Sequence, residues 1–99
     1  MKWHKELYLG ESARKRKNKI KHQLDREKLV PGVYVITLAS NGKDLLDILP
    51  SYMLFRDSVR EREVLGLAVT KDEAYEVCEK IILDVFEKTG GYRVRSYFS

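Results

Sequence analysis

Apolar residues recur along this chain with more than one spacing, and each spacing predicts a different element. Ala74, Val77, Cys78, Ile81, Ile82, Val85 and Phe86 fall three and four apart, which gives one broad helical face. Thr70 and Glu73 before that run have the spacing of a capping box. Asp72 and Glu73 suit the positive first turn, Lys88 suits the last, and Gly90-Gly91 supply a stop. Two other runs, "VYVITLA" at 33–39 and "VLGLAV" at 64–69, are apolar on both alternating faces. Strands covered on both sides read this way. In the second run, small Gly66 and Ala68 share a face. A narrower stripe, Ala13, Ile20 and Leu24, predicts a helix over 12–28, with Ser12 as N-cap and "LVPGV" as terminator. The stems of Arg16 and Lys17 flank that stripe and can lie along the core.

The remaining segments are shorter. In "KDLLDILPSY", Leu45, Ile48, Leu49 and Tyr52 have helical spacing. A turn at Asn41-Gly42 followed by a short helix is therefore expected, with Pro50 ending the helix. Should Asn41-Gly42 turn a hairpin instead, the sheet becomes mixed. The state of "SYMLF" is open, and "RDSVRERE" is a charged connection. In "YRVRSYF", Tyr92, Val94, Ser96 and Phe98 alternate with Arg93, Arg95 and Tyr97, which predicts a last strand at an edge. Residues 1–10 form an N-terminal arm or short strand ended by Gly10.

The expected order is α-β-α-β-α-β. This implies a small α/β domain with a three-stranded, mostly parallel sheet, packed helices and right-handed crossovers. An α+β fold is the alternative. One domain is expected over 1–99: the arm at 1–10, a basic helix at 11–29 and an α/β core at 33–99.

Composition agrees with a globular chain: 43% hydrophobic and 34% charged in 99 residues. No run of about 18 apolar residues predicts a membrane span, and no apolar leader core is visible near the start. The single cysteine suggests a reducing cytoplasm. The charge of +4 is uneven: residues 1–32 carry +6 and residues 33–99 carry −2. Such asymmetry fits contact with nucleic acid or an acidic partner, and equally a basic helix lying on an acidic body. The pattern "VLGLAVTKDEAYEVCEKIILDVFEKTGGYRVRSYF", preceded by "YVITLASN", resembles a group of small bacterial proteins without an assigned activity. The resemblance implies a bacterial cytoplasmic protein and brings no functional motif.

Candidate chemistry is sparse. Arg14, Lys15, Lys19, His22 and Arg26 point away from the apolar stripe and form a candidate phosphate or acidic-partner contact. No aromatic is interleaved in "ARKRKNKIKH", so no stacking platform is visible there. Asn41, Gly42 and Lys43, with Thr70 and Lys71, form a candidate anion site if strand ends converge. Capping and turn chemistry explain the same residues, and neither a G-x-G-x-x-G nor a Walker A pattern is present. Cys78 sits mid-face and reads as core. His4 and His22 lack Cys partners, so no metal site is expected. No nucleophile–base pair points to an enzyme, and no cofactor is implied. Met53, Phe55, Leu83 and Tyr97 are candidate interface residues. A non-enzymatic protein working through protein contact, as a homodimer or with a partner, is the first expectation, and nucleic-acid association through 12–28 is the alternative. The discriminator is whether acidic groups of residues 33–99, or a second chain, cover the outer face of the basic helix.

Overall fold

The computed structural model describes residues 2–39 and 45–98. Four strands, β1 (Lys2–Leu9), β2 (Tyr34–Leu38), β3 (Leu46–Pro50) and β4 (Glu63–Ala68), form one sheet in the order β1-β4-β2-β3. Only β1 and β4 run parallel; β4–β2 and β2–β3 are antiparallel. The domain is therefore α+β with a mixed sheet, and the expected three-stranded, mostly parallel α/β sheet is overturned.

Two local readings caused that error. Residues 46–50 pair with β2 from Tyr34↔Pro50 to Leu38↔Leu46, so this segment is an edge strand and not a helix. Leu46 and Ile48 pack against the core on one face of the sheet and Leu49 against the core on the other. A short strand buried on both faces has no period to distinguish it from a helix. Pro50 is accommodated at the strand's end, where a missing N–H breaks no central ladder. The second error is at the C-terminal end. "VRSYF" is a one-turn helix, α5 (Val94–Phe98), and not a strand. Val94, Tyr97 and Phe98 satisfy i, i+3, i+4 as well as the alternation did.

Helices cover both faces. α1 (Glu11–Lys15) and α2 (Lys17–Asp25) lie on the first, with a 3₁₀ turn at Ser51–Phe55 and α3 (Asp57–Arg60). Their core joins Ala13, Ile20, Leu24, Leu54 and Val59 to Val35, Val64 and Leu67 of the sheet. The second face carries α4 (Lys71–Thr89) and α5, with Ala74, Val77, Ile81, Val85 and Val94 on Ile36, Leu65 and Ala68. A bulge opposite Ile36 and Thr37 explains how β4 serves both layers. Val64 and Leu67 face the first helices, while Leu65 and Gly66 both turn to α4. A Cβ on Gly66 would come within 2.8 Å of Val77 Cγ1, so glycine permits the close approach of α4.

One carboxylate ties the layers together. Glu73 is nearly buried and accepts N–H bonds from Ser12 (3.3 Å), Ala13 (3.3 Å) and Val69 (3.2 Å). Its own N–H donates to the Thr70 hydroxyl, which caps α4, as the sequence pattern predicts. The same side chain thus serves the first turns of α1 and α4. Gly10 is required at this junction, because a Cβ there would lie 2.1 Å from Glu73 Oε1. Burial opposes ionisation of Glu73, but the Val69 N–H, the Ser12 hydroxyl and the N–H groups of Ser12 and Ala13 outweigh it and hold the carboxyl below its usual range.

Candidate nucleic-acid interface

Ala13, Ile20 and Leu24 are fully buried, so the stripe read from the sequence fixes how α1 and α2 face the sheet. The single helix expected over 12–28 is broken at Arg16, whose φ of −113° and ψ of 12° depart from helical values. The break lets the short α1 meet Glu73 while α2 runs across the sheet with its own buried residues. At its far end α2 closes in a Schellman arrangement: Glu27 N–H donates to Leu24 O and Lys28 N–H to Gln23 O, both at 2.9 Å. Glu27 occupies the left-handed position, with φ of 55°, where glycine is the usual residue.

Docking the stripe turns the cations outward. Arg14, Lys15, Lys19, His22 and Arg26 are all exposed, as are Arg16 and Lys28. Residues 13–28 hold eight Lys or Arg and only two carboxylates, Asp25 and Glu27. Both carboxylates make contacts elsewhere. Asp25 accepts the Trp3 indole N–H at 2.8 Å. Glu27 accepts from Arg60 at 2.9 Å. Lys21 leans inward, with Nζ 5.5 Å from the Trp3 ring centre. Among the described residues, no ion pair joins Arg14, Lys15, Lys19 or Arg26 to a carboxylate. Among the described residues, the acidic groups of 33–99 make no ion pair with this face.

A cleft adjoins the end of the same element. Leu29, Val30, Pro31, Gly32 and Val33 form one wall, and Pro50, Ser51 and Tyr52 form the other. Tyr34 completes the lining of a space of about 350 Å³. The two walls are held by the β2–β3 ladder, which sets Tyr34 opposite Pro50. Sequence reasoning missed this cleft. Its residues come from two separate segments, 29–34 and 50–52, joined by the β2–β3 pairing that is the less favoured of the two sequence readings. The faint signal was a proline followed within three residues by tyrosine in both "PGVY" and "PSY".

Comparison with protein-family models, characterised proteins and solved structures returns no match. The chemistry of the surface must therefore speak for itself.

The other candidates fare differently. Asn41, Gly42 and Lys43 lie outside the described residues. The convergence proposed for them with Thr70 and Lys71 rested on parallel strands. β2 and β4 are antiparallel, so their carboxyl termini lie at opposite ends of the strands. Met53 and Phe55 are half-buried on the first face of the sheet, whereas Leu83 and Tyr97 belong to helices of the second. They do not form one patch. Phe86, expected in the core, is 42% exposed and stacks on Tyr92 at 5.0 Å. Cys78 is half-buried, and burial pushes its thiol up to about 11, so it is protonated at neutral pH. His4 sits 3.3 Å from Glu63 and edge-on to Phe98. His22 is exposed far along α2. Among the described residues, no three His, Cys, Asp or Glu are grouped to hold a metal, and no helix is long and apolar enough to cross a membrane.

Proposed function

We propose that the protein binds nucleic acid through the outer face of α1 and α2, gripping phosphates with Arg14, Lys15, Lys19 and Arg26. The observation that carries this reading is the exposed, uncompensated charge of that face. Cations already held by carboxylates release no counterions on meeting phosphate; these four have no such partner among the described residues. The buried seam of Ala13, Ile20 and Leu24 provides a rigid mount, so little ordering of the backbone opposes binding. Fluorescence anisotropy with a labelled oligonucleotide, titrated at several salt concentrations, tests the reading. With about four to five phosphate contacts, log Kobs should fall against log[salt] with a slope of about −4 on duplex. Reversing Arg14, Lys15, Lys19 and Arg26 to Glu should abolish binding and leave the fold intact. Absence of binding at low salt, or binding indifferent to salt, would overturn the proposal.

A second reading, protein contact, has its own support on the other face of the sheet. Tyr75, Leu83, Phe86 and Tyr92 all leave large apolar area in water. Light scattering across a concentration series tests self-association: a constant monomer mass would remove the homodimer, and a Leu83→Glu variant that dissociates a dimer would support it.

A further inference from the structure

We infer that the cleft between Leu29–Val33 and Pro50–Tyr52 receives an unpaired nucleobase, making the protein a single-strand binder. This inference rests on the proposed phosphate contact of α1 and α2 and specifies its substrate.

Three observations converge on the cleft. Its position is the first. The chain leaves α2 through exposed Arg26 and Lys28 and enters the cleft wall at Leu29. A strand whose phosphates track the basic face is thereby led to it. Its lining is the second. Tyr52, Pro31, Pro50 and Leu29 give apolar surface, while Tyr34 lines the cleft and packs against the core of the second face. Leu29 is 69% exposed and Tyr52 50% exposed, so both hold apolar area in water beside a strongly charged helix. Flat rings beside a phosphate-binding track are how sequence-tolerant single-strand binders hold bases.

The third observation is the state of the cleft's polar groups. The Ser51 hydroxyl donates to Val30 O at 3.0 Å, Ser51 N–H donates to Val33 O at 2.9 Å, and Val33 N–H donates to Val30 O. These groups are satisfied within the cleft wall itself. The cleft therefore offers faces to stack on and few edges to read, which predicts weak base preference. Bases stacked inside a duplex cannot enter it. The neighbouring cations also select against an uncharged apolar peptide as occupant.

Anisotropy with a labelled oligouridylate, an oligothymidylate and a blunt duplex of equal length tests the inference. The probes are used on the full chain and on its Tyr52→Ala, Tyr52→Phe and Leu29→Asp variants, each checked for native circular dichroism. Tyr52→Ala should weaken single-strand binding about tenfold, with the salt slope and duplex binding unchanged. Tyr52→Phe should retain affinity, and Leu29→Asp should weaken single strands at least as much as Tyr52→Ala, with a smaller loss on duplex because its carboxylate also repels phosphate. Loss with either single strand supports the base slot, and the strand with the larger loss is the one it serves. Salt-dependent binding of all three probes that Tyr52→Ala and Leu29→Asp leave untouched would overturn the slot and spare the phosphate contact. No salt-dependent binding of any probe would overturn both. Saturable binding of a proline-rich peptide that Tyr52→Ala abolishes, without any effect of that variant on single strands, would assign the cleft to a peptide and overturn the inference.

Discussion

The two helical layers of this domain are built on different terms. On one face, α4 is nineteen residues long, capped by Thr70 and stopped by Gly90 at φ of 76°, with Ala74, Val77, Ile81 and Val85 fully buried. Every local rule for a stable helix is met within its own sequence. On the other face, α1 and α2 have five and nine residues, are broken at Arg16, and end on a strained Glu27. Neither helix has a side-chain cap from its own N-cap residue. They are held from outside: by Glu73, by Trp3, and by three buried side chains. A layer fixed at so few points keeps most of its circumference for solvent, and here that circumference carries the charge. The lesson is that the helix most legible as structure does least at the proposed interface.

The largest test of this contrast is a pair of truncations. Ile81→Ala should lower the unfolding free energy by about 4 kcal/mol and Ile20→Ala by about 3 kcal/mol, measured by urea denaturation followed by circular dichroism. A cost below about 1 kcal/mol for Ile20→Ala would mean the basic layer is a loose arm and would break the comparison.

Glu73→Ala comes next. It deprives three N–H groups of their acceptor and should cost about 3 kcal/mol. Because two of those groups belong to α1, amide exchange in residues 11–25 should accelerate more than exchange in the middle of α4. Equal acceleration in both would show a uniform loss of stability and would exclude a specific anchoring of α1.

A pH series sharpens the same point. Glu73 and Asp84 both ionise more readily in the folded state. For Glu73 the converging N–H groups and the Ser12 hydroxyl outweigh burial; for Asp84 the hydroxyl of Tyr8 is the main cause. Their contribution is complete above the unfolded carboxyl values of 4.5 and 3.8 and is lost as pH falls through the folded values. Tyr8 acts in the opposite direction. Burial and Asp84 raise its hydroxyl above 10.0, so its contribution holds below pH 10 and declines as pH rises further. Unfolding free energy should therefore be flat between these limits as far as these groups decide it. Glu73→Gln should flatten the acid limb and leave the alkaline limb alone; an unchanged acid limb would exclude the Glu73 assignment.

The smallest effect expected is a gain. Glu27→Gly relieves a left-handed non-glycine residue and gives up only an exposed ion pair with Arg60. A net stabilisation of about 0.5 kcal/mol should appear as a raised melting temperature. A loss would show that the Arg60 contact outweighs the strain.

What could be read from the sequence follows the same division. Thr70, Glu73 and Gly90 announce α4 because capping is local and each residue acts within four positions of its partner. Ala13, Ile20 and Leu24 reveal the seam of the basic layer for the same reason. The strands β2 and β4 were visible as runs, to within a residue or so. Their directions were not, since the parallel order was inferred from a helix over 45–50 that does not exist. Leu46, Ile48 and Leu49 are placed by pairing with residues of β2; the Asn41-Gly42 hairpin signal points to that pairing, but the helical spacing of Leu45, Ile48, Leu49 and Tyr52 outweighs it in the sequence. α5 was hidden because five residues are too few to separate a period of 2 from one of 3.6. Of the candidate interface, the charge was plain in the sequence. The cleft beside it required Tyr34 to be set opposite Pro50.

The parallel pairing of β1 with β4 also has a consequence for synthesis. Residues 2–9 leave the ribosome some sixty residues before Glu63–Ala68, the strand that is their neighbour in the sheet. Glu73, which anchors α1, emerges later still. The most basic segment of the chain is thus translated early and docked late. During that interval its seam of Ala13, Ile20 and Leu24 is exposed along with its charge. A nascent chain of this kind presents its cations beside the ribosome's own RNA before it has a folded surface to carry them.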